Sequence, residues 1–132
     1  MDKSKMRYLV ENYYTNLTTL TEIQNKINYS IKMTANYSFE TFSSSGFSSK
    51  VEDLALKNYN YREKIAELEQ KILIVDRAIK VLDNKEREII EKIKIHRNKL
   101  SRIGKEIHKN TGYVHRTRER ALKKMCEFIG EG

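Results

Sequence analysis

Apolar residues recur at steps of three and four along the first part of the chain, which predicts an amphipathic helix over residues 3–34. Residues 35–49 are rich in Ser and contain Gly46, so we expect a linker there. Phe39, Phe42 and Phe47 are unusual for a linker. We expect them to hold it against the helices, and a partner-binding hook is the alternative. The helical stripe consists of Met6, Val10, Tyr13, Leu17, Leu20, Ile27 and Ile31.

A regular heptad repeat follows the linker and predicts a second long helix over residues 50–82, with Ser49 as its N-cap. β-Branched residues dominate one seam position and Leu the other, which favours a two-stranded parallel coiled coil. An antiparallel hairpin with the first helix is the competing interpretation, and we expect a hairpin that also forms a homodimer. The stripe is widened by Leu56, Tyr59, Leu73 and Ile74, which would let the helix bury two faces. The predicted oligomerisation seam comprises Val51, Leu54, Asn58, Tyr61, Ile65, Leu68, Ile72, Val75, Ile79 and Leu82.

Asp83 interrupts the heptad repeat and begins a series of shorter helices. With Glu86 three residues later, it predicts a capping box at the start of a helix over residues 84–96. Ile89, Ile90 and Ile93 are expected to face inward from this helix.

Two further helices with a tight break between them are predicted to form a helix-turn-helix. The first starts at Ser101 and ends at His108, with Gly104 at a position where close approach excludes a side chain. Asn110 is a suitable N-cap for the second, over residues 111–129. Its inward positions are expected to be Val114, Ala121, Leu122 and Met125.

The composition agrees with an all-α chain of two parts, a helical coiled coil over residues 1–82 and a helix-turn-helix module over residues 83–132. The 132 residues include no Pro and five Gly, which argues against all-β folds and against α/β enzymes built on Gly-rich loops. We expect no enzyme, no cofactor and no membrane span. Cys126, the single cysteine, is expected to be a packed thiol in a reducing compartment.

The positive charge is concentrated in the second part. Residues 1–83 carry 12 Lys and Arg against 11 Asp and Glu, whereas residues 84–132 carry 14 against 7. A basic module on a nearly neutral stalk is typical of a protein that binds a polyanion, and a merely solvated basic surface is the alternative. The helix-turn-helix makes double-stranded DNA the expected partner.

The exposed face of the last helix is predicted to enter the major groove. His96, His108 and His115 lack a Cys or carboxylate at zinc-like spacing, so no metal site is expected. The side chains predicted to read bases are Thr111, Tyr113, His115, Arg116 and Arg120. Those predicted to contact phosphates are Lys99, Arg102, Lys105, Lys109, Lys123 and Lys124.

Three motifs in this module resemble region 4 of sigma-70-type sigma factors. Residues 82–90 (Leu-Asp-Asn-Lys-Glu-Arg-Glu-Ile-Ile) resemble its opening, residues 103–107 (Ile-Gly-Lys-Glu-Ile) its first helix-turn-helix helix, and residues 120–125 (Arg-Ala-Leu-Lys-Lys-Met) its closing motif. The resemblance covers about residues 82–128. The whole layout resembles small phage and prophage transcriptional activators of the ArpU/RinA type, which implies a cytoplasmic regulator in a bacterial cell or phage-infected host.

In that family the recognition helix reads the −35 promoter element through positions that are here Thr111, Gly112, Tyr113 and Arg116. This chain departs from the pattern: His108 stands where the turn usually has Gly, and Gly112 offers no side chain to a base. The resemblance therefore implies the docking mode more than the target sequence, with bacterial RNA polymerase as a further possible partner. The alternatives are a phage terminase small subunit, which recognises DNA for packaging, and a structural coiled coil with a nonspecific basic tail.

Overall fold

All regular elements of the described residues are helices, which confirms the predicted all-α class. A computed structural model describes residues 1–40 and 47–131, with side chains for residues 1–29, 32 and 59–130. No helix within these residues is both long and apolar enough to cross a membrane. The helices are α1 (Lys3–Glu11), α2 (Tyr13–Glu40), α3 (Phe47–Ala78), α4 (Asn84–His96), α5 (Leu100–Ile107) and α6 (Thr111–Glu131), and a 3-10 turn (Ile79–Val81) follows α3.

The contacts divide the chain into two compact units, and the division differs from the predicted boundary at residue 82. Unit 1 comprises Met1–Leu17 and Gln70–Gly132, and unit 2 comprises Thr18–Glu69. The beginning of the chain therefore belongs with its C-terminal helices. Sequence periodicity missed this, because an apolar stripe shows which side of a helix is buried and not which element covers it.

The core of unit 1 is built by α1, the end of α3, the 3-10 turn and α4 to α6. Asp2 caps α1 by accepting a hydrogen bond from the Lys5 amide at 2.8 Å. This helix packs against α4 and α6. The core side chains are Met6, Leu9, Val10, Val75, Ala78, Ile79, Leu82, Ile89, Ile90, Ile93, Ile103, Val114, Ala121, Leu122, Met125 and Cys126. The buried position of Cys126 agrees with the packed thiol that the sequence predicts.

Several predicted boundaries are wrong. The helix expected over residues 3–34 is two helices, because the chain departs from helical geometry at Asn12. The helix α2 continues to Glu40, beyond the expected start of the linker at residue 35, and α3 already begins at Phe47. Ser49 therefore lies inside α3 and is not its N-cap. The side chains of Phe39, Phe42 and Phe47 lie outside the described residues.

Unit 2 contains one buried stripe on α2 and a buried position on α3. Leu20, Ile23 and Ile27 recur at steps of three and four on α2, and Leu68 is buried on α3. A helical hairpin is compatible with these two long helices. Of the predicted seam, Tyr61 and Ile65 are half-buried in this unit, and the side chains of Val51, Leu54 and Asn58 lie outside the described residues.

Leu68, a further seam position, lies in unit 2, and the four remaining seam positions belong to unit 1. Val75, Ile79 and Leu82 are buried in its core, and Ile72 is half-buried. These three buried side chains pack inside the chain and are not available to a second copy without opening the core. The homodimer predicted from the full heptad repeat stays a prediction.

Candidate nucleic-acid interface

The helix α4 starts at the capping box that the sequence predicts. The Asp83 carboxylate accepts from the Glu86 amide at 2.8 Å, and the Glu86 carboxylate accepts from the Asp83 amide at 3.0 Å. Ile89, Ile90 and Ile93 are buried, as expected. These contacts fix the first of the three helices that carry the candidate interface.

The helix α5 and the turn after it lie close together at Gly104. A Cβ at this position would lie 2.6 Å from the carbonyl oxygen of Lys109, so only glycine fits here. The Lys109 amide donates to the Gly104 carbonyl at 2.9 Å and closes the turn. The predicted start at Ser101 is wrong, because α5 begins one residue earlier, at Leu100.

The turn between α5 and α6 contains a residue in the left-handed region. His108 has φ 59° and ψ 42°, a conformation that costs a non-glycine residue free energy. Two residues later the Asn110 side chain accepts from the Tyr113 amide at 2.7 Å, which confirms the predicted N-cap of α6. Turn and cap together set the direction in which α6 leaves α5.

One side of α6 is buried against the other helices and the opposite side is exposed. Val114, Ala121, Leu122 and Met125 are buried, as predicted. Thr111, Gly112, His115 and Arg116 are exposed in the N-terminal half of the helix. The helices α4 and α5 both pack against α6. These exposed residues therefore lie on a helix whose buried side is in contact with two other helices.

The side chains predicted to read bases have different surroundings. Arg116 lies beside Gly112, where an added Cβ would come within 3.2 Å of the Arg116 Nη1, so the glycine leaves room for the guanidinium. Tyr113 is half-buried, and the Lys109 Nζ lies 5.4 Å from its ring centroid, within cation–π range. Thr111 is exposed at the first position of α6.

Arg120 and Lys124 are both engaged with a buried carboxylate. Glu86 is fully buried, and its two oxygens accept from the Arg120 Nε and the Lys124 Nζ, each at 2.8 Å. Burial alone raises the pKa of Glu86, but the hydrogen bonds from Lys124, the Asp83 amide and Arg120 outweigh burial and lower the pKa to about 2. These cations stabilise the packing of α6 on α4, and their predicted contacts with DNA stay predictions.

A buried arginine, Arg118, joins α6 to the turn between α4 and α5. Its guanidinium donates to the Asn98 Oδ1 at 3.0 Å and to the Glu119 Oε1 at 3.2 Å, and it lies 3.2 Å from the His115 Nδ1. Since a guanidinium only donates, Nδ1 accepts and Nε2 of this exposed histidine carries the proton. The sequence reasoning missed Arg118, although Val114 and Leu122, four residues away on either side, indicate its buried face.

The residues from the end of α4 to Lys124 on α6 carry many exposed cations. The two carboxylates between residues 97 and 124 are both in ion pairs, Glu106 with Lys92 at 3.0 Å and Glu119 with Lys3 at 3.3 Å. The hydrogen bond from Lys92 leads the interactions that lower the pKa of Glu106. The exposed cations in this stretch are Arg97, Lys99, Arg102, Lys105, Lys109, Arg116, Arg120 and Lys123.

The chemistry of this surface suits a polyanion. It offers guanidinium and ammonium donors on three packed helices, α4 to α6. Within the described residues, no group of three or more His, Cys, Asp and Glu side chains is arranged to hold a metal ion. No family model, curated protein or solved structure matches the chain.

Proposed function

We propose that the protein is a sequence-specific transcriptional regulator that binds double-stranded DNA by inserting the N-terminal half of α6 into the major groove. The observation that carries this proposal is the exposed face of that half-helix. Thr111, His115 and Arg116 are exposed on this half-helix, and Arg116 lies on the side opposite the buried Val114. An α-helix with its side chains, about 10–12 Å across, fits a major groove about 12 Å wide.

Arg116 is the side chain best suited to read a base. Its guanidinium presents paired N–H donors that match O6 and N7 of guanine. Gly112, one helical turn earlier, keeps the space beside this guanidinium open. His115 adds an Nε2–H donor, because Arg118 occupies its other ring nitrogen.

The surrounding cations supply affinity that does not depend on sequence. Each Lys or Arg that neutralises a phosphate releases condensed counterions, which makes binding weaken as salt rises. Lys99, Arg102, Lys105 and Lys109 are exposed on α5 and the turns beside it, and Lys123 is exposed on α6 itself. We assign phosphate contacts to these five residues. The first role that we assign to Arg120 and Lys124 is to stabilise the buried Glu86 carboxylate.

Transcription is proposed from the resemblance of residues 82–128 to region 4 of sigma factors. Three features support it: the capping box at Asp83 and Glu86, the close turn at Gly104, and the burial of Ala121 and Leu122 within the closing motif. With that resemblance we propose a phage or prophage regulator that acts in the bacterial cytoplasm, binds as a homodimer and contacts RNA polymerase.

The proposal is tested by selecting a binding site from random duplexes and then measuring affinity for the selected and for random DNA. Arg116→Ala should weaken binding to the selected site by about 1–3 kcal/mol and relax the base preference, with a smaller effect on random DNA. Lys105→Ala should weaken binding to both DNAs alike and lower the slope of log K against log salt by about one.

The matched control is Lys64→Ala, which removes a cation of α3 that pairs with Glu67 at 3.6 Å, in unit 2. It should leave affinity, preference and salt slope unchanged. A selection that enriches no site, or an Arg116→Ala loss that is equal on selected and random DNA, would refute sequence reading by α6.

A further inference from the structure

Unit 1 has an apolar surface that the DNA-binding proposal does not use. Two shallow grooves meet at Ile74 on α3: Leu73, Phe128 and Ile129 line one, and Tyr8 and Leu9 of α1 line the other. We call these six residues the Ile74 surface. Leu73 and Ile74 are two of the four side chains that widen the apolar stripe of α3 beyond its heptad seam.

The Ile74 surface exposes large side chains next to one another. Tyr8 is 61% exposed, Leu73 38% and Phe128 39%. Single exposed apolar side chains are ordinary on protein surfaces, but contiguous ones mark interaction sites. Ile74 lines both grooves, so the two grooves adjoin at this residue.

The size of the surface fits one docked helix better than a second copy of the chain. At these exposed fractions the six side chains leave on the order of 300–400 Å² of apolar area open. A stable dimer buries about 800 Å² on each partner. An amphipathic helix that docks through anchors at i, i+3 or i+4 and i+7 needs only a groove of this kind.

The charges beside the grooves favour an acidic occupant. The charged side chains that line them are Lys5, Lys71, Arg77 and Asp2. Asp2, which caps α1 by accepting from the Lys5 amide, is the one carboxylate against these three cations, so the lining is net positive. Cations next to an apolar floor complement a helix that alternates apolar anchors with Asp and Glu.

We propose that the Ile74 surface docks an acidic amphipathic helix of a partner protein. This inference does not depend on DNA binding. Twelve residues of α6 separate Arg116 from Phe128, which corresponds to about 18 Å along the helix. The single helix α6 would therefore contact DNA through its N-terminal half and border the partner site at its C-terminal end.

The test is a selection from a library of displayed helical peptides of about 20 residues, with the full chain as the target. The library keeps the helical spacing of the anchors fixed and randomises the side chains at anchor and flanking positions. We expect enriched peptides to carry apolar anchors flanked by Asp and Glu. The best peptide, made synthetically, should bind the wild type, and Leu73→Glu or Phe128→Glu should weaken it at least 10-fold. Arg77→Glu should weaken it about 5-fold, since it removes a complementary charge.

Two matched controls separate the surface from general effects. Ile95→Glu changes a 59% exposed apolar residue of α4 outside the grooves, and Lys80→Glu reverses an exposed cation outside them. Both should bind the peptide as the wild type does. Leu73→Glu should keep the circular-dichroism spectrum of the wild type, which shows that it is folded whether or not the chain binds DNA. It should also keep the wild-type DNA affinity, so failure here is distinguishable from failure of the proposed function.

Four results would overturn the proposal. These are a selection that enriches no peptide, a selection that enriches basic peptides, peptide binding unchanged by both Leu73→Glu and Phe128→Glu, and a different occupant of the surface. A second copy would be indicated by a dimer mass in light scattering that falls to a monomer mass in Leu73→Glu. A membrane would be indicated by binding to vesicles of anionic phospholipid that the same substitution abolishes.

Discussion

Replacing Glu86 by Gln tests whether a buried carboxylate holds α6 on α4. The substitution keeps the shape of the side chain and an oxygen that can accept from the Asp83 amide, because Gln serves in capping boxes as Glu does. It removes the negative charge that Arg120 and Lys124 contact at 2.8 Å. Its effect therefore reports the charge and not the cap.

The expected loss follows from the pKa of Glu86. Folding lowers this pKa from 4.5 to about 2, which corresponds to roughly 3 kcal/mol of stability from the ionised form. The side chains of Arg120 and Lys124 are 55% and 43% exposed, so both can turn to water when the carboxylate is absent. We therefore expect Glu86→Gln to lower the free energy of unfolding by about 2–3 kcal/mol at pH 7.

The pH dependence has a definite direction. Because folding favours the ionised form of Glu86, its contribution is complete above about pH 4.5 and is lost as the pH falls towards 2. The variant lacks this titration. The difference in stability between wild type and Glu86→Gln should therefore shrink across this range, while the other carboxylates affect both proteins alike.

Urea unfolding followed by circular dichroism at 222 nm, at pH 7 and at steps down to pH 2.5, measures this difference. The matched control is Glu88→Gln, which removes an exposed carboxylate from the same helix and should change the stability by less than about 0.5 kcal/mol. The reasoning is refuted if Glu86→Gln costs no more than Glu88→Gln at pH 7. A cost that stays constant from pH 7 to pH 2.5 would equally refute it.

The remaining predictions concern backbone conformation and use the same unfolding measurement. Gly104→Ala should destabilise the protein by about 2 kcal/mol or more, because its Cβ would lie 2.6 Å from the Lys109 carbonyl oxygen. The matched control is Gly130→Ala, whose Cβ would meet no neighbouring group within 4 Å. It should be neutral or stabilise the protein by up to about 1 kcal/mol. Equal effects would contradict the close approach. His108→Gly should stabilise the protein by up to about 1 kcal/mol, since glycine relieves the left-handed conformation at φ 59°, and a loss of stability would show that the imidazole makes a needed contact.

Local features of the candidate site were predictable from the sequence. The capping box at Asp83 and Glu86, the cap at Asn110 and the small residue at Gly104 depend on residues at most a few positions apart. Such interactions are set by side-chain chemistry and helix geometry, which short motifs contain. The same holds for the buried face of α6, because burial recurs with the helical period.

Contacts between distant residues were not predictable in this way. Glu86 meets Arg120 and Lys124, which lie 34 and 38 positions away, and the sequence analysis assigned both cations to DNA. A charge pattern predicts that a surface is basic, but it does not say which cations are engaged by a carboxylate inside the fold. Arg118, charged yet 4% exposed, was missed for the same reason.

The sequence by itself determined that the chain is helical, where α4 and α6 start, and which side of each of these two helices is apolar, since propensity, caps and periodicity are local. Only the tertiary structure decided what covers each apolar side. Met6 and Val10 of α1 joined the core of the C-terminal helices, and Val75, Ile79 and Leu82 were used inside unit 1 and not between copies. The physical reason is that the hydrophobic effect has no direction: it requires apolar area to be buried, and chain connectivity and packing choose the partner.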